Sequence, residues 1–439
     1  MGYDMANNPQ LHQLPNGIRV VLDRWDSKTC AIHVCFKFYP DINGCKGLAH
    51  FCEHMICEGG ARFPDGIHTD SLSGCELNGM TAYEGVCLYG EMLPNRVNLV
   101  LDVFSDGLKN RVFRPDVFER ERNAVLDEFY RGTNDWIIND VFPGVSKDKS
   151  IRDYIIGNVD SINSFTNEQV IDLINRNFTK SNCFVVLSGR FDTDILSKIA
   201  EKFDFLPDGP IEERKVSLFP YTPCRMKFAS PTARRTSLAA ISAIEASIAQ
   251  NKDNKYKWVC YNVLFDWIRD NMRRDLRRLV YTSSLAKMED LSKILLLMIA
   301  ECQPDKNQIQ SLYAQMAQTC YRSIHQDQIT KNFIDIWRQN ERFGLAQLLS
   351  DASKRCKTIA DDIMKYSRIR NWESNKALFR QLKRKDIIEN TRDVFRMDEM
   401  SHAFKGQDLG IDLKSIWNEN FGPANKIIMA TTQKSDKIH

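Results

Sequence analysis

The string His50-Phe51-Cys52-Glu53-His54 constrains this 439-residue chain more than any other feature. It lies between Gly47 and Cys57, a stretch suited to a short helix that the Gly59-Gly60 pair ends. Residues four apart on a helix share a face, so His50 and His54 present two imidazoles in one direction, with Glu53 beside them. A catalytic zinc takes three protein ligands, leaves a position for water, and needs a nearby carboxylate to accept that water's proton. The third ligand has to come from elsewhere, so the fold must bring a second element against this helix.

A second helix is predicted over Pro115 to Arg131, with proline in its first turn and Gly132 beyond its end. It carries Glu121 and Glu128, seven apart and so on one stripe. The residues alone leave open which of them faces a metal; Glu121 reads equally well as a surface carboxylate or as a partner of a ligand. Cys52, two residues after His50, points to a different helix face and is set aside as a ligand.

The surrounding pattern is mixed. Gly17 to Leu22 and Cys30 to Tyr39 read as strands, the second only partly alternating, and Asn43-Gly44 marks a turn. Pro94 to Asn110 has Val97, Val100, Val103, Phe104 and Leu108 at helical spacing, and with Pro115 to Arg131 would cover one face of a sheet. A helix-like segment, Asn167 to Asn175, then precedes an apolar strand, Cys183 to Leu187. A chain of this length exceeds one ordinary core, and a faint repeat supports two similar halves. Asn177-Phe178-Thr179-Lys180-Ser181-Asn182 precedes CFVVLSG, and Asn420-Phe421-Gly422-Pro423-Ala424-Asn425 precedes KIIMATT. With Phe205 to Pro210 as the linker, the expectation is an α+β chain of two similar domains, 1–212 and 213–439. Each is a mainly antiparallel sheet with helices packed on one face. In the second half a strand is expected at Ser237 to Ile244 and a helix around Lys257 to Arg274.

Composition excludes other classes. Apolar residues at 43% and charged residues at 27% are those of a globular chain, and a net charge of +3, from 60 basic and 57 acidic residues, gives no strong field for nucleic acid. The run Arg273, Arg274, Arg277, Arg278 lacks interleaved aromatics and reads as a solvated or substrate-facing surface. Thirteen scattered cysteines without a CxxC pair read as reduced, mostly buried thiols. No apolar run of membrane-spanning length and no secretory start are present, which leans toward the cytoplasm, or an organelle matrix if a transit peptide was removed.

GLAHFCEHMICEGG followed by ERNAVLDEFYR resembles the pitrilysin, or M16, family of metallopeptidases, which includes insulysin and the mitochondrial processing peptidase. The resemblance implies His50, His54 and Glu128 as zinc ligands, Glu53 as general base and Glu121 as supporting carboxylate. Gly74-Cys75-Glu76-Leu77-Asn78-Gly79-Met80-Thr81 resembles the family's edge strand, which implies that Asn78 and Thr81 hold peptide substrate by strand addition. Gly79 stands where alanine is usual; without the family, Asn78-Gly79 would read as a hairpin turn. Arg274 to Tyr281 is similar to the segment in which an arginine and a tyrosine seven residues later hold substrate and stabilise the tetrahedral intermediate, here Arg274 and Tyr281. Arg278 stands where a glycine is usual. Family members of this length correspond to half of longer enzymes, which implies a homodimer, or a heterodimer with a related chain, closing into a clam-like chamber. The expected activity is that of an endopeptidase on extended peptides or unstructured segments; the rival is a structural or assembly subunit that kept the fold without the activity.

Overall fold

The computed structural model describes residues 9–38, 45–109, 114–132, 136–146, 153–210, 221–245, 255–277, 282–289, 293–325, 329–369 and 373–422. Contacts divide the chain into two units, Met1–Pro220 with Arg338–Ala377, and Tyr221–Trp337 with Leu378–His439. Residues 338–377 thus return to the first unit, a discontinuity that division at a single linker does not contain.

The first unit is built on strands β1 (Gln10–Gln13), β2 (Arg19–Arg24), β3 (Cys30–Lys37), β4 (Cys75–Ala82), β5 (Gly85–Met92) and β6 (Cys183–Gly189), in the order β1-β2-β6-β3-β5-β4. Only the β2·β6 pair is parallel. Helices α1 (Leu48–Cys57), α2 (Val97–Lys109) and α3 (Pro115–Gly132) share one hydrophobic core with Ile32, Val34 and Phe36 of β3. The alternate residues Ala31 and Cys35 belong to a second core with Cys356, Ile359 and Ala360 of the helix Ala352–Tyr366. Cys30 to Phe36 is therefore buried throughout, and the near-continuous apolar run follows from cover on both faces. Asp23, fully buried, accepts from Arg355 Nε at 2.6 Å and from Ser188 Oγ at 2.6 Å, pinning the returning helix to β2 and β6.

The second unit holds β7 (Arg225–Ala229), β8 (Thr236–Glu245), β9 (Thr282–Glu289), β10 (Lys293–Cys302) and β11 (Ser401–Gly406), in the order β7-β11-β8-β10-β9, with only β7·β11 parallel. Leu238, Leu296 and Met298 pack with Val263 and Ile268 of helix Lys255–Leu276 and Leu312 of helix Lys306–His325. Setting β1 aside, this is the first sheet's topology, so the chain is α+β with two similar halves as expected, although the first sheet carries helices on both faces rather than on one, because residues 352–366 return to it.

The register of the repeat differs from the sequence reading. The counterpart of β6 is β11, and each is followed by a helix, Ile195–Phe203 and Leu413–Asn420. KIIMATT lies outside the described residues. The thiol expectation also needs one correction: Cys35 and Cys87, in register across β3 and β5 with Cα atoms 4.1 Å apart, form a disulfide.

Candidate metal centre

Helix α1 is preceded by its N-cap Gly47, whose φ of 84° is left-handed and which packs so tightly on Gly157 that a Cβ would sit 2.6 Å from the Gly157 Cα. Its buried face, with Phe51, Cys52, Met55 and Ile56, enters the core, leaving His50 and His54 on the half-buried flank. Loop residues after α1 are held by Asp106, which accepts from the amides of Arg62 and Phe63 at 2.9 and 2.8 Å.

Helix α3 lies against α1 and brings Glu128 to both imidazoles. His50 Nε2 is 3.5 Å from Glu128 Oε2, and His54 Nε2 is 3.8 Å from Glu128 Oε1. One donor atom from each of His50, His54 and Glu128 falls within 4.8 Å of the others. Glu121, two turns earlier on the same stripe of α3, accepts from His54 Nδ1 at 3.1 Å. With Nδ1 so engaged, the Nε2 lone pair of His54 is left facing Glu128.

The electrostatics follow from crowding. Burial, with the neighbouring His54, lowers the pKa of His50 to about 3, which keeps that imidazole neutral and able to ligate. Burial alone would lower His54, but the hydrogen bond to Glu121 and the charges of Glu53 and Glu128 outweigh it and raise its pKa. Glu53 is raised by burial, against the opposing His54 charge and a hydrogen bond from Thr81. Three carboxylates converge on two imidazoles, and a divalent cation held by two nitrogens and an oxygen is the group that such a donor set fits.

Glu53 leans away from the three donors toward β4. Its Oε2 accepts from Thr81 Oγ1 at 3.2 Å and stands 3.9 Å from His50 Nε2. Its Oε1 rests against the backbone at Gly79, where a Cβ would come within 2.0 Å. β4 is the last strand of its sheet, pairing only with β5 among the described strands, and Asn78-Gly79 lies inside it rather than at a turn. Asn78 is exposed and its Oδ1 accepts from the Gly79 amide at 2.8 Å.

Arg274 belongs to the second unit, in the last turn of helix Lys255–Leu276; it is bonded to Asn271 Oδ1 and lies 3.5 Å from Asp275 Oδ1. Tyr281 and Arg278 lie outside the described residues. Two residues that the sequence analysis does not single out join the site: Arg120, which pairs with Glu121, and Glu58, which pairs with Arg120; their positions, next to Glu121 and four after His54, are the available signal.

A half-buried cluster of two histidines and carboxylates on packed helices, beside the edge strand of its sheet, is a candidate metal site in an α+β fold. Two family models match: residues 21–148 that of Insulinase (Peptidase family M16), and residues 164–335 that of the Peptidase M16 inactive domain. The chain belongs to peptidase family M16. It is 29% identical over 201 residues to the mitochondrial-processing peptidase subunit beta of Dictyostelium discoideum, covering 43% of this chain and 42% of that protein. It is 26% identical over 215 residues to an uncharacterized zinc protease of Rickettsia felis, covering 47% and 52%. The matches span about half or less of these curated relatives. The first half of the periplasmic protease PqqL from Escherichia coli shares the fold, with a TM-score of 0.76 at 14% identity over 96% of this chain and 98% of that one. No helix of the described residues is long and apolar enough to cross a membrane.

Proposed function

We propose that this chain is a zinc-dependent endopeptidase acting on peptides or unstructured protein segments. The observation that carries the reading is the convergence of His50, His54 and Glu128, with Glu53 beside them and Glu121 behind His54. Zinc, when bound, supplies Lewis acidity toward a carbonyl oxygen and toward water. His50, His54 and Glu128 would hold it, and Glu121 fixes the ring of His54. Glu53 takes the proton of the attacking water and passes it to the leaving amine, a role that a buried carboxylate of raised pKa suits. The edge of β4 offers backbone groups to an extended substrate, with Asn78 and Thr81 along it. Residues 1–212 carry the metal in this reading, and residues 213–439 contribute Arg274 and Tyr281 to substrate binding.

The relatives' names support the assembly and the compartment. A subunit of a processing peptidase is a component of a larger protein, which favours a second, related chain as partner, in a homodimer or heterodimer. The mitochondrial names among them support the organelle matrix over the cytoplasm. The rival reading, an inactive subunit, draws on the match of residues 164–335 to an inactive domain.

Elemental analysis and cleavage of a quenched peptide library, on the wild type and on Glu53→Gln, separate the two. One zinc per chain with cleavage lost only in Glu53→Gln supports the enzyme. Zinc without cleavage in either supports the inactive subunit, and absence of zinc overturns the metal site.

A further inference from the structure

We propose that Arg120 is the positioning residue of this metal centre: by bridging Glu121 and Glu58 it fixes the carboxylate that orients His54. The inference rests on the zinc-site reading above and deepens it.

Arg120 precedes Glu121 on α3, and adjacent helical side chains do not ordinarily face each other. Here Arg120 Nε donates to Glu121 Oε1 at 3.0 Å because the guanidinium has turned toward α1, where its Nη2 donates to Glu58 Oε2. Glu58 caps α1, and its amide donates to the His54 carbonyl at 3.0 Å. A closed circuit results. From the His54 ring it runs through Glu121, Arg120 and Glu58 to the last turn of α1 and back to the His54 backbone.

Each link has a reason. The side chain of Glu121 is 9% exposed, so both of its oxygens need donors; His54 supplies one and Arg120 the other. Without Arg120 the carboxylate is free to rotate about the single bond to His54, and the imidazole rotates with it. A planar guanidinium serves two acceptors in different directions through a rigid fork, which a lysine ammonium on a flexible stem does not reproduce. The arginine side chain is itself 56% exposed, so its ion pairs add little to stability. Its effect falls on the direction of a ligand, which separates positioning from a structural role.

The experiment measures zinc affinity of the full chain by chelator competition, the visible absorption of its Co2+ form and the melting midpoint of the metal-free protein. The proteins are wild type, Arg120→Met, Arg120→Lys and, as a control, Arg176→Ala on an exposed helix face. Partners of a ligand typically govern 10–100-fold in affinity, so Arg120→Met is expected to bind zinc about tenfold more weakly and to shift the cobalt spectrum, with an unchanged metal-free melting midpoint. Arg120→Lys recovers only part of the loss, and Arg176→Ala behaves as wild type. The positioning role is overturned if Arg120→Met stays within twofold of wild type with the same spectrum, if Arg120→Lys matches wild type, or if the metal-free protein melts earlier in step with the loss. A wild type that binds neither metal would instead overturn the metal-site reading itself.

Discussion

The carboxylate of Glu53 occupies the space that a side chain on residue 79 would need, since a Cβ there would lie 2.0 Å from Oε1 and 2.7 Å from Cδ. Alanine, usual at this position in the family, needs only the flexible end of Glu53 to give way, whereas the branched Gly79→Val must turn Glu53 off β4 and break its bond to Thr81. Misplacing a base by about 1 Å costs on the order of 10²-fold in rate. On the proposed function, Gly79→Val is expected to bind zinc as wild type does and lose kcat on that scale, with Gly79→Ala much nearer to wild type, checked by metal content beside steady-state kinetics. Unchanged kcat in Gly79→Val would show that glycine does not set the place of Glu53.

Glu121→Gln leaves His54 a neutral partner in place of a charged one. Zinc affinity is expected to fall 10–100-fold while the chain stays folded. Glu128→Gln, which replaces a donor of the cluster, should lose more. Competition with a chelator gives both values.

The buried Asp23–Arg355 pair is the place to break the first unit. Asp23 is fully buried and the Arg355 side chain is 7% exposed, so removing either leaves an uncompensated charge, at about 3–5 kcal/mol. Denaturant unfolding of Asp23→Leu, Arg355→Met and the double variant checks this; the double variant should cost less than the sum of the two single ones.

His33 gives a pH dependence away from the metal centre. Its ring stacks on Tyr89, its Nδ1 is 3.3 Å from Cys356 Sγ, and burial lowers its pKa to about 4, with Lys357 adding to that and Asp361 opposing it. The folded state resists the proton that the unfolded chain takes up near pH 6.5. Stability is therefore full above about 6.5 and falls as pH drops toward 4, by up to about 3 kcal/mol at 1.36 kcal/mol per unit. Unfolding free energies between pH 7.5 and 4.5 should show a shallower decline in His33→Leu than in wild type. Equal slopes would mean that His33 is not held neutral.

The candidate site was legible because its chemistry is local. His50, Glu53 and His54 share one helix, and Glu121 and Glu128 share one stripe, so 3.6-residue geometry gathers the five into two sets before any tertiary contact is known, and the family resemblance supplies which glutamate faces the metal. The α+β class was legible for a similar reason, since strands and helices alternate with clear boundaries. What was not legible depends on distant packing. Arg120 looks like one more helix-surface arginine until α1 lies beside it. Asn78-Gly79 has by itself the composition of a turn; the family resemblance, not the residues, implies the edge strand that pairing with β5 forms. The repeat was read in the wrong register because turn residues recur more visibly than apolar strands, while SHAFKG carries a buried histidine that hides its strand character.

The helix Ala352–Tyr366 also bears on how the chain comes to exist. The last strand of the first sheet ends at Gly189, yet the helix that covers its outer face is encoded roughly 180 residues later. At about 5–20 residues per second the ribosome takes roughly 9–36 s to make that stretch. For that interval Val21, Phe184 and Val186 are a bare apolar surface on the nascent protein. A piece cut at Pro220 would keep them bare permanently, so the first unit has a hidden dependence on a late segment of the message and a window in which a chaperone has something to hold.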